Sequence, residues 1–136
     1  MKYFNLGLSL LLVFGFIFFG VQKFGAENVV FATLAERSGI ALFNPEIRYF
    51  TGMSELLIAL LILIPRTRLI GSLGGVGLLL GAIGLHLSPW LGIYVPKIGY
   101  GLFFTAIFML SINLLNVYAS YKNGRKIFFW KTEETD

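Results

Sequence analysis

Residues 3–21 read YFNLGLSLLLVFGFIFFGV, and the polar side chains of this stretch are Asn5 and Ser9. At about 1.5 Å per residue, a helix over it spans close to the ~30 Å apolar thickness of a bilayer. The stretch exceeds the ~7–15 residue apolar core of a signal peptide and no A-x-A site follows it, so it reads as a retained membrane span. Working outward, three more apolar segments stand out. Tyr49–Ile64 is interrupted by Glu55 and closed by Pro65-Arg66-Thr67-Arg68, Leu69–Leu87 is glycine-rich and carries His86 near its end, and the last runs from about Ile98 to Tyr121. The spacing predicts an all-α fold, a four-transmembrane-helix bundle filling residues 1–121 with spans at 3–21, 49–64, 69–87 and 98–121. Sheet is not expected, because backbone groups in lipid must be satisfied within their own segment and four strands cannot close a barrel.

Composition supports this reading. The chain is 57% hydrophobic and only 13% charged, about half the charge of an ordinary soluble domain. Nucleic acid is not an expected partner, since the net +4 comes from 11 Lys and Arg scattered at the ends of apolar runs. Zero cysteines exclude disulfide exchange and thiolate metal sites, and a single histidine excludes bis-His haem. With four spans, seven cations (Lys2, Arg66, Arg68, Lys122, Arg125, Lys126, Lys131) share one side and four (Lys23, Arg37, Arg48, Lys97) the other. By the positive-inside rule both termini are cytoplasmic, in a multi-pass protein of the cytoplasmic (inner) membrane. Residues 122–136 form a basic, aromatic tail, whose Lys126–Lys131 segment reads as a surface anchor or as a solvated tail.

The connection from Gln22 to Arg48 is too long for a plain loop. Val30, Leu34 and Ala41 recur at near-helical intervals with Glu27, Glu36 and Arg37 placed elsewhere, which predicts a short interfacial helix within 28–42 at the outer surface, ended by Gly39 and Asn44-Pro45. In the third span Gly74, Gly77, Gly81, Gly84 and Ser88 repeat at intervals of 3, 4, 3 and 4. Such a stripe suggests close helix packing, as does Gly52 on the face of the second span that carries Glu55. A phosphate-cradling loop is not implied, since no strand precedes the glycines and no Lys-Ser/Thr follows.

Glu55 is the most informative residue. A carboxylate in mid-span costs about 2.5–3.5 kcal/mol to insert, so it should be neutralised by a proton or a partner. Its candidate companions in a ligand-binding cluster are Lys23 and His86, with Glu55 as the proton-exchanging group. Counting from the cytoplasmic ends of the spans, Glu55 lies at about 15 Å, His86 at about 27 Å and Lys23 at about 30 Å. Side chains lean toward each other across part of that gap, yet a lysine stem of about 6 Å falls short. The arithmetic therefore favours a protonated Glu55 out of direct reach of Lys23. His86 lacks the companions a metal site needs, so none is expected. Asn113 and Asn116 read as interhelical hydrogen-bonding groups, with Asn5 a candidate partner. A Ser/His/Asp set is missing, since the only Asp is Asp136, and no span holds paired carboxylates.

Several pieces occur in a characteristic order: Gly20-x-x-Lys23-Phe24, then Phe31-x-x-Leu34 to Gly39-Ile40 and Pro45-Glu46, then Gly52-x-x-Glu55-Leu56-Leu57, Pro65-x-Thr67-Arg68-Leu69, and Gly81-Ala82-Ile83 before His86. Over roughly residues 7–120 the chain resembles the DoxX-like family of small four-span membrane proteins. That resemblance implies a membrane subunit associated with quinone-linked redox chemistry, as in thiosulfate:quinone oxidoreductase. Quinone is the cofactor so implied, beside the lipid bilayer and a membrane or peripheral redox partner. Lacking cofactor ligands, the chain would be at most a non-electron-carrying subunit. A non-enzymatic assembly factor or scaffold, binding another membrane protein, a second copy of itself or a small hydrophobic ligand, is the alternative the residues leave open.

Overall fold

The computed structural model describes residues 2–95 and 97–128, with side chains described between Tyr3 and Asn123. Among the described residues it is helical without sheet, and the only β feature is a single bridge between Val95 and Gly99. The helices are α1 (Lys2–Gln22), α2 (Val29–Ser38), α3 (Glu46–Leu63), α4 (Arg68–Leu87) and α5 (Gly101–Phe128), with 3-10 turns at Ala41–Phe43 and Pro65–Thr67. α1, α3, α4 and α5 form a closed ring in which α1 and α4 each pack on both α3 and α5.

Local chemistry sets the boundaries. Asn28 starts α2 by accepting from the Phe31 N–H at 3.2 Å, and Gly39, at φ 75°, ends it in the left-handed conformation that glycine adopts without strain. Pro65 cannot continue α3, and the chain reverses there with the Thr67 hydroxyl donating to the Leu61 carbonyl at 2.7 Å. α5 begins at Gly101 rather than Ile98 because Val95 and Gly99 bond each other's backbone at 2.9 and 2.7 Å, closing a tight loop before the helix. It runs on to Phe128, so the first residues of the expected tail are helical. The surface anchor expected at Lys126–Lys131 lies outside the described side chains. α3 starts at Glu46 instead of Tyr49, since Arg48, read from sequence as a loop charge, is buried in its first turn.

Three stretches, Tyr3–Gln22, Pro65–Leu87 and Gly101–Asn123, are helical, long and apolar enough to cross a membrane. α3 differs: its 18 residues include Glu46, Arg48 and Glu55. Two apolar clusters organise the interior. Leu12, Phe16, Ile58, Ile62, Leu79 and Met109 fill the ring, whereas Phe31 and Leu34 of α2 pack on Leu91 and Val95 of the α4–α5 connection to form a cap over one end.

Candidate functional site

The site starts from two glycines. A Cβ on Gly20 of α1 would lie 3.2 Å from Cβ of Glu55, and one on Gly52 of α3 would lie 3.0 Å from both the Gly20 carbonyl oxygen and Cβ of Lys23. With no side chain at either position the two backbones approach closely, and Lys23 comes within about one helical turn of Glu55. The Lys23 ammonium meets Glu55 Oε1 at 2.6 Å and donates to the Phe19 carbonyl at 3.3 Å, at the end of α1 where the helix dipole favours a cation.

This contact corrects the depth arithmetic. That arithmetic started both spans from one level, but Gly20 is level with Glu55 and Leu56, which brings the far end of α3 down only to about the level of Val13. α3 is thus shifted along α1 by about two turns or more, and the shift removes the ~15 Å separation. The carboxyl that the arithmetic placed out of reach of Lys23 thus has the ammonium as a direct partner.

Lys23, Glu55 and His86 all line one cavity of about 820 Å³ near the capped end of the ring. Its walls are mostly apolar, supplied by residues such as Phe16, Leu78, Leu102 and Met109, while Gln22, Glu27 and Asn28 edge it beside the α1–α2 connection. Of the three expected companions, only Lys23 and Glu55 touch. His86 is buried and committed elsewhere: its Nδ1 lies 3.0 Å from the Gly92 carbonyl, and its ring meets Phe103 edge-on. A carbonyl only accepts, so Nδ1 carries the proton and Nε2 is left outside that bond.

The glycine stripe does not do what its spacing suggests. Cβ atoms on Gly77, Gly81 or Gly84 would meet nothing within 4 Å, and one on Gly74 would make ordinary contact with Ile58 at 3.6 Å. Close approach belongs to Gly71, 2.8 Å from the Ile62 nitrogen, and to Gly75, pressed on Phe16 and Asn113. A Gly-x-x-x-Gly pattern at 71–75 was the available signal, overshadowed by the longer stripe beside it. Gly77 and Gly81 instead line the cavity. Gly52 holds the packing role expected of it.

Sequence reasoning also understated the other end of the ring. Asn5 Nδ2 donates to Asn116 Oδ1 at 2.7 Å and to Ser120 at 2.9 Å, Asn116 Nδ2 donates to Ser72 at 2.9 Å, and Ser9 donates to the Asn5 carbonyl at 2.7 Å. Arg68, counted from sequence only as an orienting charge, is buried there and donates to Asn5 Oδ1 at 3.3 Å and to the Ile62 and Leu63 carbonyls at 2.8 and 3.2 Å. This network joins α1, α4 and α5 to the end of α3. Asn113 stays out of it, buried with neither amide atom bonded.

Among the described residues no three His, Cys, Asp or Glu side chains gather as a metal site would require. Comparison of the chain with protein-family models, curated proteins and solved structures finds no match.

Proposed function

We propose that this chain is a DoxX-like membrane protein of the inner membrane, with four spans and both termini cytoplasmic, whose cavity binds the head of a quinone as part of a redox assembly. The observation that carries the reading is the Lys23–Glu55 ion pair on the wall of an otherwise apolar cavity of about 820 Å³. That volume is within the range of about 300–1,000 Å³ typical of small-molecule sites, and a few placed polar groups in an apolar wall are what orient such a ligand.

The reading makes α3 the fourth span. At 18 residues it is about 27 Å long. Phe50, Met53, Leu57 and Leu60 form an outward apolar stripe that water would not favour. Glu46 is exposed in its first turn, where a headgroup region can receive it, Arg48 is buried there over the Tyr49 ring, and Lys23 neutralises Glu55. Four spans also return the chain to its starting side, in keeping with the cation balance.

The residues present fit such a ligand. Lys23 would orient an electronegative oxygen, Glu55 would take up or release a proton beside it, and His86 would accept through Nε2 at the capped end. A bound quinone would supply the electron-accepting chemistry, with electrons from a partner or a reductant, since the sequence offers no cysteine thiolate and only one histidine to ligate a metal carrier. The test is binding of a decyl-substituted benzoquinone to the purified protein in phosphatidylcholine vesicles. Saturable binding that weakens at least tenfold in Glu55→Gln and Lys23→Met is expected, and wild-type protein without saturable binding would overturn the proposal. The open glycine face of α4 favours a second reading, a scaffold on which a partner helix or a second copy docks. In that case Glu55→Gln leaves function intact and bulky residues on the face disrupt assembly.

A further inference from the structure

The seam between α3 and α4 changes along its length. Toward the Asn5 end it is shut, with Gly71 against the Ile62 backbone and Gly74 against Ile58. Two turns further, Gly81 returns to the same side of α4 as Gly74, and on antiparallel α3 the facing position is Thr51. There a Cβ would meet nothing within 4 Å, and Gly77 one turn below is equally open. Gly77, Gly81 and Thr51 all line the cavity, and both glycines are exposed.

The other boundaries differ. α1 and α3 are pressed together at Gly20 and Gly52. The capped end is closed by Phe31, Leu34, Leu91 and Val95, with Arg37 donating to the Leu91 carbonyl at 3.3 Å. Beside the α1–α2 connection, the cavity is edged by Gln22, Glu27 and Asn28, polar groups that suit water or protons better than an apolar tail.

We infer that the cavity is loaded sideways from the bilayer, through a mouth between α3 and α4 whose floor is Gly77 and Gly81, by an amphiphile that brings its polar head to Lys23 and Glu55 and leaves its apolar tail in the seam. The inference rests on the reading of α3 as a lipid-facing span. Glycine is what keeps the mouth open: the two missing side chains are those that would bridge the seam at the level of the ion pair. A molecule already dissolved in the bilayer reaches the site without shedding its tail into water, and the polar edge at Gln22 and Glu27 is left to carry protons.

The shared ligand chemistry, a polar head on a long apolar chain, has two sources, an isoprenoid-type quinone and an acyl chain, so the experiment uses both. Association of a decyl-substituted benzoquinone and of a brominated stearate with the full-length protein in phosphatidylcholine vesicles is followed by quenching of tryptophan fluorescence. Gly81→Leu and, from the facing helix, Thr51→Phe are expected to slow association at least tenfold. Gly81→Ala should behave as wild type, and helicity and oligomeric state serve as controls. Quinone binding whose rate is unchanged in Gly81→Leu and Thr51→Phe, or slowed only by Gln22→Trp, would overturn lateral loading and leave the quinone reading standing. Stearate binding with the expected glycine dependence, and no quinone binding, would keep lateral loading and remove the quinone. Loss of a wild-type oligomer in Gly81→Leu with unchanged rates would assign the face to a second copy and overturn the inference, as would wild-type protein that binds neither probe.

Discussion

The two ends of the helix ring hold comparable numbers of polar side chains and use them in opposite ways. At the Asn5 end, Asn5, Ser9, Arg68, Ser72, Asn116 and Ser120 bond to one another or to backbone carbonyls, and Gly71 and Gly75 of α4 are pressed against neighbouring atoms. At the Lys23 end two opposite charges meet at 2.6 Å on the wall of a cavity, and Gly77 and Gly81, which line the same cavity from α4, face open space. A closed hydrogen-bond network specifies one arrangement of helices. An ion pair beside an empty volume specifies something that can still accept a guest. One end clamps the bundle, and the other remains available because it is clamped.

The largest expected effect breaks the open end. Lys23→Met leaves the Glu55 carboxylate without its partner in apolar surroundings, a change that typically costs about 3–5 kcal/mol when one member of a buried pair is removed. Reversible unfolding in mixed detergent micelles should register it. Adding Glu55→Leu to the same chain should recover most of the loss, because an apolar pair of similar volume replaces two buried charges. A double variant as unstable as the single would show that the lysine acts through its stem packing.

Next is the clamped seam. Gly71→Ala places a methyl 2.8 Å from the Ile62 backbone nitrogen, which cannot rotate away. A loss of about 1–3 kcal/mol is expected from overpacking. Asn116→Leu follows, since it strips the acceptor used by Asn5 and Ser9 and the donor to Ser72. Interhelical hydrogen bonds in membranes are worth about 0.6 kcal/mol on average and at most about 1.7, so a loss of about 1–2 kcal/mol is expected. If Asn116→Leu proves costlier than Lys23→Met, the assignment of clamp and site to the two ends is inverted.

The contrast also explains which parts of the molecule were legible in the sequence. The apolar runs located the long helices because composition along one segment is enough to make a span. α2 was legible for a similar local reason: its stop at Gly39 is a left-handed position that glycine fills without strain. What one segment cannot encode is its axial offset against another. α3 slides along α1 to the level at which Gly20 and Gly52 meet, and until that level is known Lys23 and Glu55 look too far apart. The glycines misled for the same reason. α4 carries two small-residue patterns on neighbouring faces, and only the position of α3 decides that Gly71 and Gly75 are packed while Gly77 and Gly81 border a cavity.

The smallest effect is the sharpest test of the comparison, because it turns on an absence. Gly81→Ala adds one methyl group at a position with no neighbouring atom within 4 Å, on the same helix as Gly71 and on a seam shared with it. Alanine is favoured over glycine in a helix interior by about 0.8–1.0 kcal/mol, and no packing clash opposes that gain here. The variant should therefore be neutral or stabilised by up to about 1 kcal/mol, opposite in sign to Gly71→Ala, in the same mixed-micelle unfolding assay. The two substitutions are chemically identical and about three turns apart, so propensity cancels between them and their difference reports the seam alone. If both destabilise alike, the seam is packed along its whole length, the mouth at Gly77 and Gly81 does not exist, and the cavity has to be reached through the polar edge at Gln22 and Glu27.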